Sequence, residues 1–156
     1  MGENKSEERE VFSKMAQLCS RSEQCSADIR KKIMAFEIVD EIVDEIITKL
    51  IEEKFIDDER YVRAYINDKF KINKWGKLKM RYYLHAKGLS DEIIEKGLDS
   101  LDDEKYKSLL IKTMKAKAKS IRDKDKYKKM GQIIRFTQNR GFEPELIHRY
   151  LNLALE

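Results

Sequence analysis

Apolar residues recur at spacings of three and four along almost the whole chain, which is the period of an α-helix with one buried face. Short polar or glycine-containing interruptions divide this pattern into segments of helical length. The segments predict an all-α protein with helices near residues 7–19, 26–36, 39–54, 58–71, 76–87, 90–101, 103–122, 125–140 and 143–155.

The helical pattern occurs three times. A shift of 53 residues superimposes Gly88 on Gly141 and aligns seven further pairs of like residues without a gap. A shift of 51 residues aligns the first third with the second, although Glu37 takes the place of the glycine. A period near 50 residues is typical of stacked supersecondary units. We therefore expect an elongated tandem array of three three-helix units, residues 1–56, 57–102 and 103–156.

Within each unit the second and third helices resemble a helix-turn-helix, an arrangement that enters DNA grooves but also occurs as a plain scaffold. Ser26, Asp58 and Ser90 are predicted N-caps, and Pro144 falls in the first turn of the last helix. Gly88 and Gly141 lie at predicted helix ends, where glycine can adopt the left-handed conformation that closes the turn. With Glu37 at the equivalent position, the first turn is expected to close without a left-handed residue.

Charge is distributed unevenly, although the chain carries a net charge of only +4. Residues 1–60 hold 10 basic and 16 acidic residues, and residues 105–156 hold 14 basic and 5 acidic residues. A basic end can follow a phosphate backbone, and a solvated lysine-rich helix explains the same run equally well.

The sequence offers no pattern typical of an enzyme or a membrane protein. No phosphate loop, dinucleotide fingerprint or nucleophile elbow occurs, and His85 and His148 are too far apart for a ligand pair. Cys19 and Cys25 read as free thiols. No apolar run approaches the roughly 20 residues of a membrane span. We expect a cytoplasmic, monomeric, non-catalytic protein without a metal or cofactor.

Four motifs, in order along the chain, resemble those of the RecX family. Residues 26–33 are similar to the entry of its first repeat, and residues 55–62, Phe-Ile-Asp-Asp-Glu-Arg-Tyr-Val, to the signature that opens its second. Residues 76–89 resemble its glycine, basic helix and Lys-Gly-Ile pattern, and residues 135–142 its closing Arg-Gly-Phe motif. The positions that carry this signature are Asp57, Asp58, Glu59, Arg60, Gly76, Gly88, Gly141 and Phe142.

This resemblance implies a curved, modular regulator that lies along the groove of a RecA filament on single-stranded DNA. It implies that the protein damps the ATPase, strand-exchange and coprotease activities of RecA in DNA repair, recombination and the SOS response. The alternative from the residues alone is a stand-alone helix-turn-helix-like DNA-binding protein. Salt-sensitive duplex binding without RecA would favour that alternative.

Basic residues of the second and third units are the candidates for contact with RecA or with DNA phosphates, and Trp75 is a candidate for base stacking, for an interface anchor or for packing within its own bundle. The preferred interpretation of the Asp57–Glu59 carboxylates is that they stabilise the start of a helix through its dipole. An ion pair is the second interpretation, and a metal site is the last. Repeat equivalence is expected to place Arg81, Lys87, Arg135 and Arg140 on corresponding surfaces of the second and third units. The full predicted set is Trp75, Lys77, Lys79, Arg81, Lys87, Lys115, Lys119, Arg135 and Arg140.

Overall fold

The computed structural model describes residues 2–156, with side chains from residue 5 onward. These residues form nine α-helices and one π-helical turn, which confirms the all-α prediction. The helices are α1 (Gly2–Arg21), α2 (Ser26–Met34), α3 (Asp40–Glu52), α4 (Asp58–Asp68), α5 (Lys77–Ala86), α6 (Asp91–Asp99), α7 (Asp103–Ser120), α8 (Lys126–Asn139) and α9 (Pro144–Leu155), and the π turn is Lys69–Asn73.

Each trio of helices packs around its own apolar core, as the periodicity of the sequence requires. The first core includes Ile29, Ile46 and Leu50 of α2 and α3. The second gathers residues of α4, α5 and α6, and the third gathers those of α7, α8 and α9. The second core also contains Cys25, which is fully buried and belongs to the first unit by sequence. Leu101 packs against both the second and the third core, and the division of the chain at residues 57 and 103 remains a prediction.

Two of the three predicted N-caps are wrong by one residue. Ser90 caps α6 as expected, but the N-cap of α4 is Asp57 and that of α2 is Cys25, which places Asp58 and Ser26 in the first helical turns. The physical reason is a contact between units. The Asp58 carboxylate accepts hydrogen bonds from the Ser26 backbone N–H at 2.9 Å and from its hydroxyl at 2.7 Å. Asp58 thus supplies to α2 the cap that α2 lacks within its own unit.

All three turns between second and third helices contain a left-handed residue. Gly88 and Gly141 have φ of +84° and +93°, as predicted, and Glu37 has φ of +57°. The expectation that the first turn closes without such a residue is therefore wrong: Glu37 adopts the conformation despite its Cβ. Pro144 is the first residue of α9, where its missing N–H leaves no helical bond unmade.

The junctions between units repeat one geometry, in which the start of a second helix contacts the left-handed turn of the next unit. Between units two and three, the Gly76 N–H donates to the Arg140 carbonyl at 2.7 Å and the Leu78 N–H to the Gly141 carbonyl at 2.9 Å. A Cβ on Gly76 would lie 2.4 Å from the backbone of Gly141. Glycine is therefore required at this contact.

Tyr106 strengthens the same junction from α7. Its hydroxyl accepts a hydrogen bond from the Lys77 backbone N–H at 2.9 Å and donates to the carboxylate of Glu143. Burial, followed by the bond to Glu143, raises the pKa of Tyr106 far above that of an ordinary phenol. The group is therefore a neutral hydroxyl that joins α5 of unit two to α9 of unit three.

Among residues 2–156, no helix combines the length and apolar composition needed to cross a bilayer.

Candidate interaction surface

Five aromatic residues and three lysines form a continuous strip on the second unit. Tyr61 and Tyr65 are one turn apart on α4, with ring centroids 6.1 Å apart. Trp75 stacks on Tyr83 at 5.3 Å, and Tyr82 meets Tyr83 edge to face at 5.3 Å. We refer to this surface as the aromatic–lysine strip, and its members are Tyr61, Tyr65, Lys69, Trp75, Lys79, Tyr82, Tyr83 and Lys87.

Lysine ammonium groups join the aromatic rings of the strip. Lys69 Nζ lies 5.4 Å from the centroid of the Tyr65 ring and 4.8 Å from that of Trp75, so it bridges α4 and the segment before α5. Lys79 Nζ lies 4.7 Å from the Trp75 ring, and Lys87 Nζ 5.9 Å from the Tyr61 ring. These distances are within the range of cation–π attraction. The strip therefore presents aromatic surface and positive charge together.

The π turn positions Trp75 in the strip. It extends α4 by one wide turn and ends at Lys74, which is left-handed with φ of +59°. The chain then reverses, and the Trp75 N–H donates to the Lys69 carbonyl at 3.0 Å. Trp75 is half-buried against the second core, so the structure places it against its own unit. The most exposed side chain of the strip is Tyr82, at 69%.

Three of the four basic residues singled out by the repeat are held by contacts within the chain. Arg81 forms a two-point pair with Glu95, at 2.5 and 3.1 Å, and this pairing raises the pKa of Arg81 and lowers that of Glu95. Lys87 bonds the Asp28 carboxylate across the first junction at 2.7 Å, and Arg140 donates to a backbone carbonyl of the π turn at 2.8 Å. Arg135 lies exposed on α8.

The ion pair across the first junction has unequal effects on its two members. The bond to Asp28 raises the pKa of Lys87 well above that of an ordinary lysine. Burial alone would raise the pKa of Asp28, but the hydrogen bonds from Lys87 and Cys25 prevail and lower it. Both shifts favour the charged forms of the pair at neutral pH.

The Asp-Asp-Glu-Arg motif connects the first and second units. Asp57 accepts from the Arg60 backbone N–H at 3.1 Å, as expected for helix-start electrostatics. Glu59 pairs with Lys96 at 3.4 Å, and Arg60 pairs with Glu23 of the first unit at 2.7 Å. In the described part of the chain, no three His, Cys, Asp or Glu side chains come together in a way that could hold a metal ion.

The remaining predicted residues are divided between junction and surface. Phe142 is fully buried in the third core, with its ring 5.4 Å from that of Tyr106, and Lys77 Nζ lies 5.0 Å from the Tyr106 ring. Lys115 and Lys119 lie exposed on α7. The structure thus brings Trp75 and Lys79 together with Lys87 in one strip and leaves Lys115, Lys119 and Arg135 outside it.

Sequence reasoning missed the tyrosines of the strip and Lys69. A usable signal was present, because Met80 and Leu84 are the inward positions of α5 and therefore direct Tyr82 and Tyr83 outward. The π turn that carries Lys69 toward Trp75 has no comparable signal in the sequence.

Comparison with known proteins places this architecture in a family. Residues 57–98 match the family model described as RecX, second three-helix domain. The regulatory protein RecX of Clostridium tetani is 37% identical over 108 residues, which is 68% of this chain and 49% of that relative. The chain spans about half the length of the curated relatives that it matches.

Two solved structures share the fold. The crystal structure of RecX from Lactobacillus salivarius has a TM-score of 0.89 with 18% identity, and covers 99% of this chain and 98% of that one. A crystal structure of regulatory protein RecX has a TM-score of 0.83 with 21% identity, and covers 93% of this chain and 71% of that one. The sequence matches carry the assignment and the structures confirm the fold: the chain belongs to the RecX family.

Proposed function

We propose that this protein regulates the RecA recombinase. It binds the RecA filament on single-stranded DNA and restrains its ATPase, strand-exchange and coprotease activities in DNA repair and recombination. The observation that carries the proposal is the similarity to regulatory proteins RecX over two thirds of the chain. The family model matches residues 57–98, which include the motif that ties the first unit to the second. The protein acts by binding and performs no catalysis of its own.

The aromatic–lysine strip is the surface proposed to meet the filament. Tyr82 and Tyr83 are 69% and 43% exposed, which leaves their rings available to a partner. Exposed rings beside lysines suit unstacked bases with neighbouring phosphates, and stacking contributes about 1–3 kcal/mol per base. Tyr and Trp side chains are also common anchors of protein interfaces. The strip therefore supports contact with both components of a RecA–DNA filament.

The test is ATP hydrolysis by RecA on single-stranded DNA while this protein is added below the RecA concentration. Inhibition at substoichiometric amounts is the expected result, because one molecule on a filament end or groove affects many recombinase subunits. Unchanged hydrolysis up to equimolar protein would contradict the proposed function.

Two substitutions test the surface without disturbing the fold. Tyr82→Ser removes the most exposed ring of the strip and should weaken inhibition by about tenfold, equivalent to one stacking contact. Tyr127→Ser is the matched control, since Tyr127 is 82% exposed on α8 outside the strip. Equal effects of the two substitutions would remove the strip from the interface.

Arg135→Glu tests the predicted basic surface of unit three without breaking the junction contacts of Lys87 or Arg140.

The same strip gives stand-alone DNA binding as a second candidate function, and salt dependence separates the two. Tight duplex binding without RecA that falls steeply with salt would favour an independent DNA-binding protein. Weak DNA binding together with strong filament binding would favour the regulator.

A further inference from the structure

A groove of about 570 Å³ runs between α7 and α8 on the third unit, separate from the aromatic–lysine strip. Its lining has an apolar part, which consists of Leu109, Ala116 and Phe136 and is called the floor, and a cationic part, which is called the rim. One rim residue, Lys74, comes from the end of the π turn, so the groove crosses the junction between units two and three. The complete lining is Lys74, Leu109, Lys112, Thr113, Ala116, Lys117, Ser120, Phe136 and Arg140.

Two of the rim cations are held in place before any ligand arrives. Arg140 is fixed by its bond to the Asn73 carbonyl, and its guanidinium carbon lies 5.0 Å from the centroid of the Phe136 ring. Lys117 Nζ lies 4.9 Å from the same ring. None of the described residues that line the groove has a carboxylate. Four positive charges therefore surround an apolar floor without a local counter-charge, which is an arrangement complementary to an anionic ligand.

The floor favours a ligand that also has apolar side chains. The hydroxyls of Thr113 and Ser120 donate to helix carbonyls, those of Leu109 and Lys117, at 2.7 Å each. They therefore do not donate to base edges. Two cations, Lys117 and Arg140, already lie beside the Phe136 ring, whereas no described cation lies in this way beside the exposed rings of Tyr82 and Tyr83 in the strip. A nucleic-acid backbone would satisfy the rim but would bury nothing apolar on the floor.

We infer that this groove binds an acidic segment of a partner protein whose apolar side chains reach the floor between α7 and α8. From Leu109 to Ser120 the groove follows roughly 16 Å of helix, at 1.5 Å per residue. That length accommodates about five residues of an extended peptide or about three turns of an amphipathic helix. Acidic side chains would pair with Lys112, Lys117 and Arg140.

The probe is a fluorescent peptide of three Asp-Glu-Leu-Leu repeats, titrated with the 156-residue chain and followed by anisotropy. We expect saturable binding that is lost when Asn-Gln replaces Asp-Glu and when Ser-Ser replaces Leu-Leu. Lys117→Glu should weaken binding by about tenfold. Lys119→Glu is the control with the same charge change on the same helix outside the groove, and it should weaken binding by less than about threefold because solvent screens its charge. Phe136→Ala, which removes a ring outside the third core, should also weaken binding.

Three results would overturn the inference. These are absence of saturable binding, equal losses for the two lysine variants, and displacement of the peptide by oligothymidylate with the same dependence on Lys117, which would make nucleic acid the occupant. Circular dichroism of each variant establishes that it is folded. No recombinase is present in this assay, so its outcome is independent of the proposed regulation of RecA.

Discussion

The two left-handed glycines offer a matched pair of substitutions that separates backbone strain from packing at a unit junction. Gly88 and Gly141 both have positive φ, so alanine at either position introduces about 1–2 kcal/mol of strain. Around Gly88 an added Cβ would have one neighbour within 4 Å, the Ala27 Cβ at 3.9 Å. Gly88→Ala should therefore lower the free energy of unfolding by about 1–2 kcal/mol.

At Gly141 the same substitution also forces the junction apart. The added Cβ would lie 2.3 Å from the Cβ of Lys79 and 2.6 Å from its backbone nitrogen, so the start of α5 must move. That movement breaks the bonds of the Gly76 N–H to Arg140 and of the Leu78 N–H to Gly141. Each contributes about 1 kcal/mol net. Together with strain, the expected loss is about 3–4 kcal/mol.

Urea denaturation followed by two probes measures both losses. Circular dichroism reports all helices, and the fluorescence of Trp75, the one tryptophan of the chain, reports the neighbourhood of the junction. The Gly141→Ala protein should show its Trp75 transition at lower urea than the Gly88→Ala protein. Equal losses of stability for the two substitutions would refute the reasoning, as would an undisturbed fluorescence transition in Gly141→Ala. Glu37→Gly is the control, because Glu37 has a left-handed backbone but lies in neither of the junctions described above. This substitution should change the free energy of unfolding by less than about 1 kcal/mol.

Three further substitutions test contacts between units. Asp28→Asn should cost about 1 kcal/mol at neutral pH and reduce the acid sensitivity of folding. The reason is that the lowered pKa of Asp28 gives stability that is present above its unfolded-state pKa and is lost as pH falls through the folded-state value. Tyr106→Phe should cost about 1–2 kcal/mol in urea denaturation, because it leaves a backbone N–H and a carboxylate without their shared partner. Asp58→Ala should cost about 1–2 kcal/mol and speed amide exchange at Ser26, because α2 loses its cap.

Each of these expectations has an outcome that contradicts it. Unfolding free energies of Asp28→Asn that fall with acid as steeply as those of the original chain would show that another group accounts for the acid sensitivity. A Tyr106→Phe protein of unchanged stability would mean that water replaces both hydrogen bonds. Unchanged amide exchange at Ser26 in Asp58→Ala would show that α2 does not depend on the second unit.

Local features of the fold were predictable because their causes lie close together in sequence. Helix positions follow from apolar spacing, and Gly88 and Gly141 follow from the need for positive φ at a helix end. Ser90 caps its own helix and was identified correctly, whereas the partner of Ser26 lies 32 residues away. Only the packed structure brings that carboxylate to α2.

The candidate site shows why repeat equivalence predicts position better than contact. Lys87 and Arg140 occupy equivalent places at the two junctions, as expected. Lys87 meets Asp28 there, but the residue equivalent to Asp28 at the second junction is Lys79, which cannot pair with an arginine. Arg140 therefore bonds a carbonyl of the π turn instead. One changed charge gives equivalent residues different partners, and the pattern of the sequence alone does not reveal which contact replaces the lost one.

The position of Asp58 also bears on folding during synthesis. A ribosome releases the chain from its N-terminus, so α1, α2 and α3 leave the exit tunnel before the carboxylate that caps α2. Until Asp58 follows, the backbone N–H and the hydroxyl of Ser26 at the start of α2 are exposed to water, and this end of the helix should remain frayed. The first unit then matures only when the second has begun to form. A nascent chain stalled before Asp58 should accordingly be cleaved by protease near Ser26, and one stalled well beyond it should resist.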